Sequence, residues 1–489
     1  MLSMTANGSA NNDATLPGEL HPWKSSNEPQ FPVENDEMYS TLRSSRFGST
    51  LSHSSSISRV ESFKIMKSFE KDKTPFLDIK TTIQQLSDGN DPSICHDYSV
   101  PELVKRIDKD LLSNKNPNAI SQTLDSLSNL VCLDEAKNVV SKTEDLVRNV
   151  IKILESSKLP SQKTASAVIL TNLTYDHNAG RDIVIKLNAT PHLIKKSKDP
   201  EMRLNCLSAL MNLTCSTEGR VQFQQHRGID ELLDWLDSIE EVQIKAAAII
   251  CNLTASNDQG YNNKSIIEEI LVIHQKTFSK SIVAKLISIV STWNMNPELE
   301  KSCLEALINI AVTIRGKTQI IDCGYLKVFQ NYLKNNLDIT TETLSALCAI
   351  LVNLLELNPY CQKRLLELEI IPLILNIVVV DKFYNARGDI LNLLINAIAN
   401  NRMAQLTALS HNLIELSLNL MLSTEDATIK ANCIECLINM EDCLSYIKET
   451  RPKVYLNVLK VLKDQREETY GVVKENCTTA LEIWQQVLN

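Results

Sequence analysis

Residues 169–174, ILTNLT, place an asparagine inside an apolar run, and the same arrangement returns along the chain. It recurs as SLSNLV at Asn129, ALMNLT at Asn212, IICNLT at Asn252, ALINIA at Asn309, ILVNLL at Asn353, LLINAI at Asn396 and CLINME at Asn439. With Asn172 in its place, the intervals from Asn129 onward are 43, 40, 40, 57, 44, 43 and 43 residues. All but the fourth lie in the window of about 40–47 residues that marks two- or three-helix repeats. The units share a phase. In residues 162–202, QKTASAVILTNLTYDHNAGRDIVIKLNATPHLIKKSKDPEM, a long apolar-periodic segment precedes a break, a short helix and a second amphipathic helix.

Composition agrees with helices. Of 489 residues, 43% are hydrophobic, 22% charged and 5% aromatic, and 12 are glycine, which is about 2.5% against roughly 7% in an average protein. Tight β-turns and phosphate-cradling loops need glycine at positive φ, so most β architectures and nucleotide-binding loops are disfavoured and an all-α fold leads. The few glycines gather at the breaks. Gly180, Gly219 and Gly316 follow the asparagine-bearing segment, and Gly228 and Gly324 precede the next helix, where the spacing predicts that a helix stops and the chain turns. Pro191, Pro372 and Pro452 stand near starts of second helices, where a missing N–H is harmless.

The net charge of −9 comes without any block of lysine and arginine, which argues against a general nucleic-acid binder and favours a basic or polar partner. Thirteen cysteines, an odd number, are scattered through apolar helical runs, as in a reducing compartment. No signal peptide, membrane span or myristoylation signal is read, so the expected location is cytoplasmic, compatible with nuclear or cytoskeletal association. The N-L-T triplets at Asn172, Asn212 and Asn252 are then parts of the repeat and not glycosylation sites.

These repeated elements resemble the armadillo-repeat family from about residue 98 to the C-terminus. The resemblance implies an all-α, right-handed α-solenoid of about eight to nine three-helix repeats. A two-helix HEAT unit fits less well, because a short helix recurs between the asparagine segment and the following one. The long interval predicts an insertion near 257–280. The final stretch, TYGVVKENCTTALEIWQQVLN, lacks an asparagine near Ala480 and carries Trp484, which predicts a C-terminal cap near 464–489. Residues 1–97 are Ser-rich and aperiodic, the composition of a disordered arm. In that arm Arg46 precedes Ser49 and Arg59 precedes Ser62 by three residues, a spacing used by basophilic kinases, and Phe63, Met66 and Phe69 could dock as a short helix.

Motifs for catalysis are decoys. Gly316-Lys317-Thr318 ends like a phosphate loop but has Ala311 in place of the first glycine and no preceding strand, so it is expected to be a turn. Cys433 and Cys436 have zinc-like spacing inside a helical unit with no second pair, which predicts core cysteines. No catalytic, metal or cofactor site is expected. By resemblance, Asn172, Asn212, Asn252, Asn309, Asn353, Asn396 and Asn439 would line a concave groove and bond the backbone of an extended partner; alternatively, or in addition, they bond carbonyls of the neighbouring unit. The family's nuclear-import adaptors place a Trp four residues before this Asn. Here those positions are Asp125, Val168, Ser208, Ala248, Glu305, Ala349, Asn392 and Glu435, so the slots for lysine are missing. The expectation is a non-enzymatic scaffold or adaptor that binds protein segments. The alternative is a karyopherin-like transport adaptor or a regulator of a chaperone ATPase or GTPase.

Overall fold

The computed structural model describes residues 99–113, 116–255, 264–272, 281–292, 296–335 and 339–486. The expectations for residues 1–97, including Ser49 and Ser62, lie outside the described residues.

Helices α1 (Val100–Ser113) and α2 (Pro117–Leu130) begin the described chain. Eight triplets follow. The first three are α3 (Asp134–Val140), α4 (Glu144–Ser156) and α5 (Pro160–Thr174); α6 (Asn178–Lys186), α7 (Thr190–Lys196) and α8 (Pro200–Thr214); and α9 (Thr217–Gln225), α10 (Leu232–Leu236) and α11 (Glu240–Thr254). Next come α12 (Lys264–Val272), α13 (Ile282–Val290) and α14 (Pro297–Ile310), then α15 (Ile314–Asp322), α16 (Tyr325–Lys334) and α17 (Thr341–Leu355). The last three are α18 (Pro359–Glu367), α19 (Ile370–Ile377) and α20 (Arg387–Ile398); α21 (Arg402–Ser410), α22 (Leu413–Ser423) and α23 (Ala427–Ile438); and α24 (Leu444–Thr450), α25 (Pro452–Glu468) and α26 (Gly471–Gln486). There is no strand among the described residues. The arrangement is that of an α-solenoid: α2, α5, α8, α11, α14, α17, α20, α23 and α26 pack each on the next in that order.

The three helices of a triplet differ in what they bury. Second helices are amphipathic: α4 buries Leu146, Val147, Val150, Ile151 and Leu154 along one stripe and turns Lys152 and Glu155 to water. Third helices lie between two neighbours and are apolar nearly all round, so that in α11 every residue from Ala246 to Thr254 is buried. Each fully buried Leu or Ile contributes roughly 1.5–3 kcal/mol, and these side chains form one cluster running from Leu103 to Trp484. Three of these helices, α2, α8 and α14, start with an Asn or Asp before a proline. The carboxamide or carboxylate of Asn116, Asp199 and Asn296 accepts the N–H two residues on, at 3.0, 3.1 and 2.9 Å, and Pro117, Pro200 and Pro297 need no partner there.

The joints explain the glycines, and not as expected. Gly180, Gly219 and Gly316 do not stop a helix; each is the third residue of a first helix, α6, α9 and α15. A Cβ there would stand 2.0, 1.9 and 2.1 Å from the carbonyl oxygens of Leu173, Leu213 and Ile310, so the first helix starts against the end of the preceding third helix at a distance only glycine allows. Gly316-Lys317-Thr318 is therefore not a turn but part of the first turn of α15. Between first and second helices one residue is left-handed in five triplets: Asn188 (φ 55°), Arg227 (58°), Gly324 (87°), Glu369 (51°) and Asn412 (62°). Arg227 takes that conformation where Gly228 stood ready, because Gly228 is reserved for contact with the Phe223 ring, whose atoms a Cβ would meet at 2.6 Å. Between third and first helices a second left-handed residue occurs in three triplets, at Asp176, Leu357 and Asn400.

The long interval is not one insertion between units. Helix α12 is the regular first helix of its triplet, with Ile266, Ile267, Ile270 and Leu271 buried, and the extra length is divided between residues 256–263 and 273–280, outside the described residues. At the C-terminal end, residues 464–468 complete α25, and α26 holds Val473, Cys477, Ala480, Leu481 and Trp484 against it.

Because the backbone carbonyl of Leu213 cannot retreat, Gly219→Ala should destabilise the chain by roughly 2 kcal/mol, read as a lowered urea midpoint. Gly388→Ala, in the first turn of α20 with nothing within 4 Å, provides the control and should be neutral or stabilising.

Candidate functional site

The repeated asparagines end their helices side by side, and their amides point into the stack. Asn172 Nδ2 donates to Ser128 O at 3.3 Å, Asn212 Nδ2 to Thr171 O at 3.1 Å, Asn252 Nδ2 to Met211 O at 3.1 Å and Asn353 Nδ2 to Ile308 O at 3.2 Å. Each acceptor is the residue just before the asparagine of the preceding unit. Asn212 and Asn252 add the hydroxyls of Thr174 and Thr214, at 3.2 and 3.3 Å, and Asn309 reaches only such a hydroxyl, that of Thr254 at 3.3 Å. Asn396 departs from the series: its Nδ2 turns back to Asn392 O at 2.8 Å within α20. Asn439 lies one residue past the end of α23.

Two of the seven are buried, Asn212 and Asn252, and the other five are partly exposed. Among the described residues none of the seven Oδ1 atoms accepts a hydrogen bond, and that of Asn212 is buried as well as unpartnered. In α26, where an asparagine is missing, Trp484 substitutes. Its buried indole donates from Nε1 to Leu437 O at 3.0 Å, its ring stacks on Tyr455 with centroids 5.6 Å apart, and the Tyr455 hydroxyl donates to Trp484 O.

First helices supply a second set of bonds, which the sequence reading missed. Lys137 Nζ donates to Tyr175 O at 3.1 Å, Arg220 Nη1 to Ala255 O at 2.6 Å, Lys317 Nζ to Glu356 O at 3.1 Å and Gln362 Nε2 to Ala399 O at 2.9 Å. Every acceptor is the residue closing the third helix of the donor's own triplet, α5, α11, α17 or α20. These carbonyls have no intrahelical partner and sit at the negative end of the helix dipole, so a cation or amide is the group they need. The signal was present in Gly219-Arg220 and Gly316-Lys317, where the residue after the glycine carries the donor.

One turn before the asparagines, the row of Asp125, Glu305 and Glu435 carries carboxylates. Burial pushes all three up, and at Glu305 it prevails over Lys301, whose Nζ is 3.9 Å away, and over the Cys251 thiol bonded to Oε2 at 3.4 Å. Asp389 in α20 is likewise raised by burial, against a hydrogen bond from Ser345. Near the start of the row, an open depression of about 470 Å³ is lined by Asp125, Ser128, Thr164, Val168 and Glu201, from α2, α5 and α8.

Cys433 and Cys436 lie buried in α23; burial raises the Cys433 thiol to about 12 and the Cys436 thiol well above its ordinary value, so both stay protonated at neutral pH and are poor nucleophiles. Among the described residues no group of three His, Cys, Asp or Glu is placed to hold a metal, and no helix is long and apolar enough to cross a membrane.

No protein-family profile matches the chain, and no curated protein matches it. Among solved structures it is similar to a crystal structure of an engineered protein from the Northeast Structural Genomics Consortium, with a TM-score of 0.67 and 17% sequence identity, over 83% of this chain and 98% of that one. At that identity the likeness concerns the helical fold alone.

The rungs are unequal, which separates Asn212 from Asn396. Asn212→Ala removes two bonds between units and should destabilise by about 1–3 kcal/mol, whereas Asn396→Ala removes bonds within one helix and should change the urea midpoint far less. Glu305 gives a pH test. Its folded-state pKa lies above the ordinary 4.5, so the stability its protonated form contributes is present below the unfolded value and lost as pH rises through the raised one. Glu305→Gln should therefore gain on the wild type at pH 8 and not at pH 4, in urea titrations run at both.

Proposed function

We propose that the stack is an armadillo-type, right-handed solenoid of eight to nine three-helix units, and that it works as a non-enzymatic scaffold or adaptor. The partner is an extended, basic protein segment lying along the face formed by the ends of the third helices. One observation carries this reading: the half-used asparagine amide. With Nδ2 tied to the preceding unit, Asn172, Asn309 and Asn353 each present a fixed, unoccupied Oδ1, an acceptor suited to the N–H of an extended backbone, and the Oδ1 atoms of Asn396 and Asn439 are likewise unoccupied. Asn172, Asn309, Asn353, Asn396 and Asn439 carry that role, whereas Asn212 and Asn252 are withdrawn into the stack and serve mainly to hold it.

The chemistry of the partner follows from the carboxylates. Asp125, Glu305, Glu435 and Asp389 are desolvated and not firmly neutralised, so a lysine or arginine arriving beside them relieves a standing electrostatic penalty. Backbone acceptors give affinity with little sequence demand; the spacing of the acids selects where the positive charges fall.

The test uses the full chain and a panel of unstructured peptides, with and without lysine and arginine, in fluorescence polarisation. Basic peptides should bind with an affinity that falls as salt rises, and Asn309→Ala/Asn353→Ala/Glu435→Gln should weaken them at least roughly tenfold, or about 1.4 kcal/mol, with unchanged helicity. Salt-independent binding, or equal affinity of the variant, would sink the reading.

A further inference from the structure

Beside the ends of the third helices, the starts of the first helices carry large apolar side chains unit after unit. At the starts of four successive first helices, α15, α18, α21 and α24, stand Ile314 (86% exposed), Tyr360 (56%), Met403 (63%) and Tyr446 (46%), with exposed Val312 and Leu357 beside the first two. The corresponding residues of α3, α6 and α9 are Asp134 and Glu135, Asn178 and Ala179, and Thr217 and Glu218, so the stripe is confined to the second half. Single exposed apolar residues are common on any protein; Tyr360, Met403 and Tyr446 in register, with Ile314 one residue earlier in its own helix, are a patch. Bonds between the joints hold the four positions next to one another. Lys317 of α15 reaches Glu356 at the joint before α18, Gln362 of α18 reaches Ala399 before α21, and Gln405 Nε2 of α21 donates to Asp442 Oδ2 before α24 at 3.1 Å. Successive third helices pack on one another, and packed helices lie roughly 8–10 Å apart, so the units and the anchors they carry recur at about that interval.

Residues 60–69 of the same chain, VESFKIMKSF, repeat an apolar side chain every third position: Val60, Phe63, Met66 and Phe69. A polyproline-II course places every third residue on one face, roughly 9 Å apart, which is the interval of the stripe. An α-helix would wind the same four residues round its axis. Lys64 and Lys67 would then face away from the apolar contacts, and exposed Glu441 at the joint before α24 offers one of them a counter-charge. The 30 residues from Phe69 to Ser99 can span at most about 100 Å, enough to cross the preceding units at about 10 Å each.

We propose that residues 60–69 dock extended along this stripe of their own chain, with Val60, Phe63, Met66 and Phe69 seated on the side chains of Ile314, Tyr360, Met403 and Tyr446. The stripe begins where the third helices end and adjoins the face proposed for a partner; the variants that test the self-docking leave Asn309, Asn353 and Glu435 in place, so its failure is distinguishable from failure of the partner reading.

Limited trypsin digestion of the full chain tests it. Cleavage after Lys64 and Lys67 should be roughly tenfold slower than after Arg43 and Arg46, and Ile314→Ser/Tyr360→Ser/Met403→Ser/Tyr446→Ser should abolish the difference. Phe63→Ser/Phe69→Ser, which alters no described helix, should abolish it as well. Benzoylphenylalanine introduced at Met66 should crosslink to peptides from α15, α18, α21 or α24 within one chain, as judged in a mixture of isotopically light and heavy protein. Equal cleavage rates in the wild type, protection that survives both variants, crosslinks elsewhere, or crosslinks joining light to heavy chains would each overturn it, the last in favour of a second copy.

Discussion

A helix that ends inside a stack leaves backbone carbonyls that its own hydrogen-bond ladder cannot satisfy, and nearly everything specific in this molecule answers that need. Apolar packing draws the third helices together, but it is indifferent to how far one slides along another. The donors are not indifferent. Asn172, Asn212, Asn252 and Asn353 reach one carbonyl before the preceding asparagine, while Lys137, Arg220, Lys317 and Gln362 reach forward to the residue that closes the next third helix. One set ties a third helix to the third helix before it, and the other ties it to the first helix of its own triplet, which itself starts against that preceding helix, so its axial position is fixed twice. An indole performs the backward task at Trp484, which says that the constraint lies in the carbonyl and not in the amide chemistry of the donor.

The same economy leaves the molecule with unfinished polar groups. An amide that gives its N–H₂ to the stack still has an oxygen, and a carboxylate between two apolar helices still has a charge. Such groups are tolerated near the surface because water serves them there. Buried outright, as at Asn212 Oδ1, they are a burden of about 1–3 kcal/mol. A partner that supplies N–H donors and positive charge meets both needs together, and this physical complementarity makes a protein segment a better fit to that face than a small anion or an acidic chain.

Much of the helical plan was legible in the sequence, because it rests on period. The interval between asparagines and the apolar spacing within each unit gave helices whose order and phase agree with those described, and Trp484 announced its helix by its oddness. The joints were harder. Glycine after an apolar run normally signals the end of a helix, yet Gly180, Gly219 and Gly316 open the next one, since the decisive fact is a carbonyl from another helix at a distance no local rule contains. The extra length around α12 read as one block for a similar reason: Ile266, Ile267 and Ile270 are as apolar as any short helix, and only their burial identifies α12 as a regular member of the series. For the asparagines, sequence alone left two roles open, and the direction of Nδ2 is what distributes them among the seven. The desolvation of Glu305 and Glu435 comes from burial between packed helices and had no local mark.

The joint between third and first helices comes in two lengths. From asparagine to the residue in the donor position of the first helix the chain runs eight residues at Asn129–Lys137, Asn212–Arg220 and Asn309–Lys317, but nine at Asn172–Arg181, where the arginine bonds back to Thr174 O, and at Asn353–Gln362 and Asn396–Gln405. Only the longer form contains the left-handed residue, Asp176, Leu357 or Asn400. One additional residue is absorbed by a single backbone flip, and the donor still arrives at its carbonyl in Gln362 as it does in Lys317. Gains and losses of one codon at this joint are therefore nearly silent to the assembly. A gene for such an array can drift in length there, unit by unit, while its reading frame of helices stays in step.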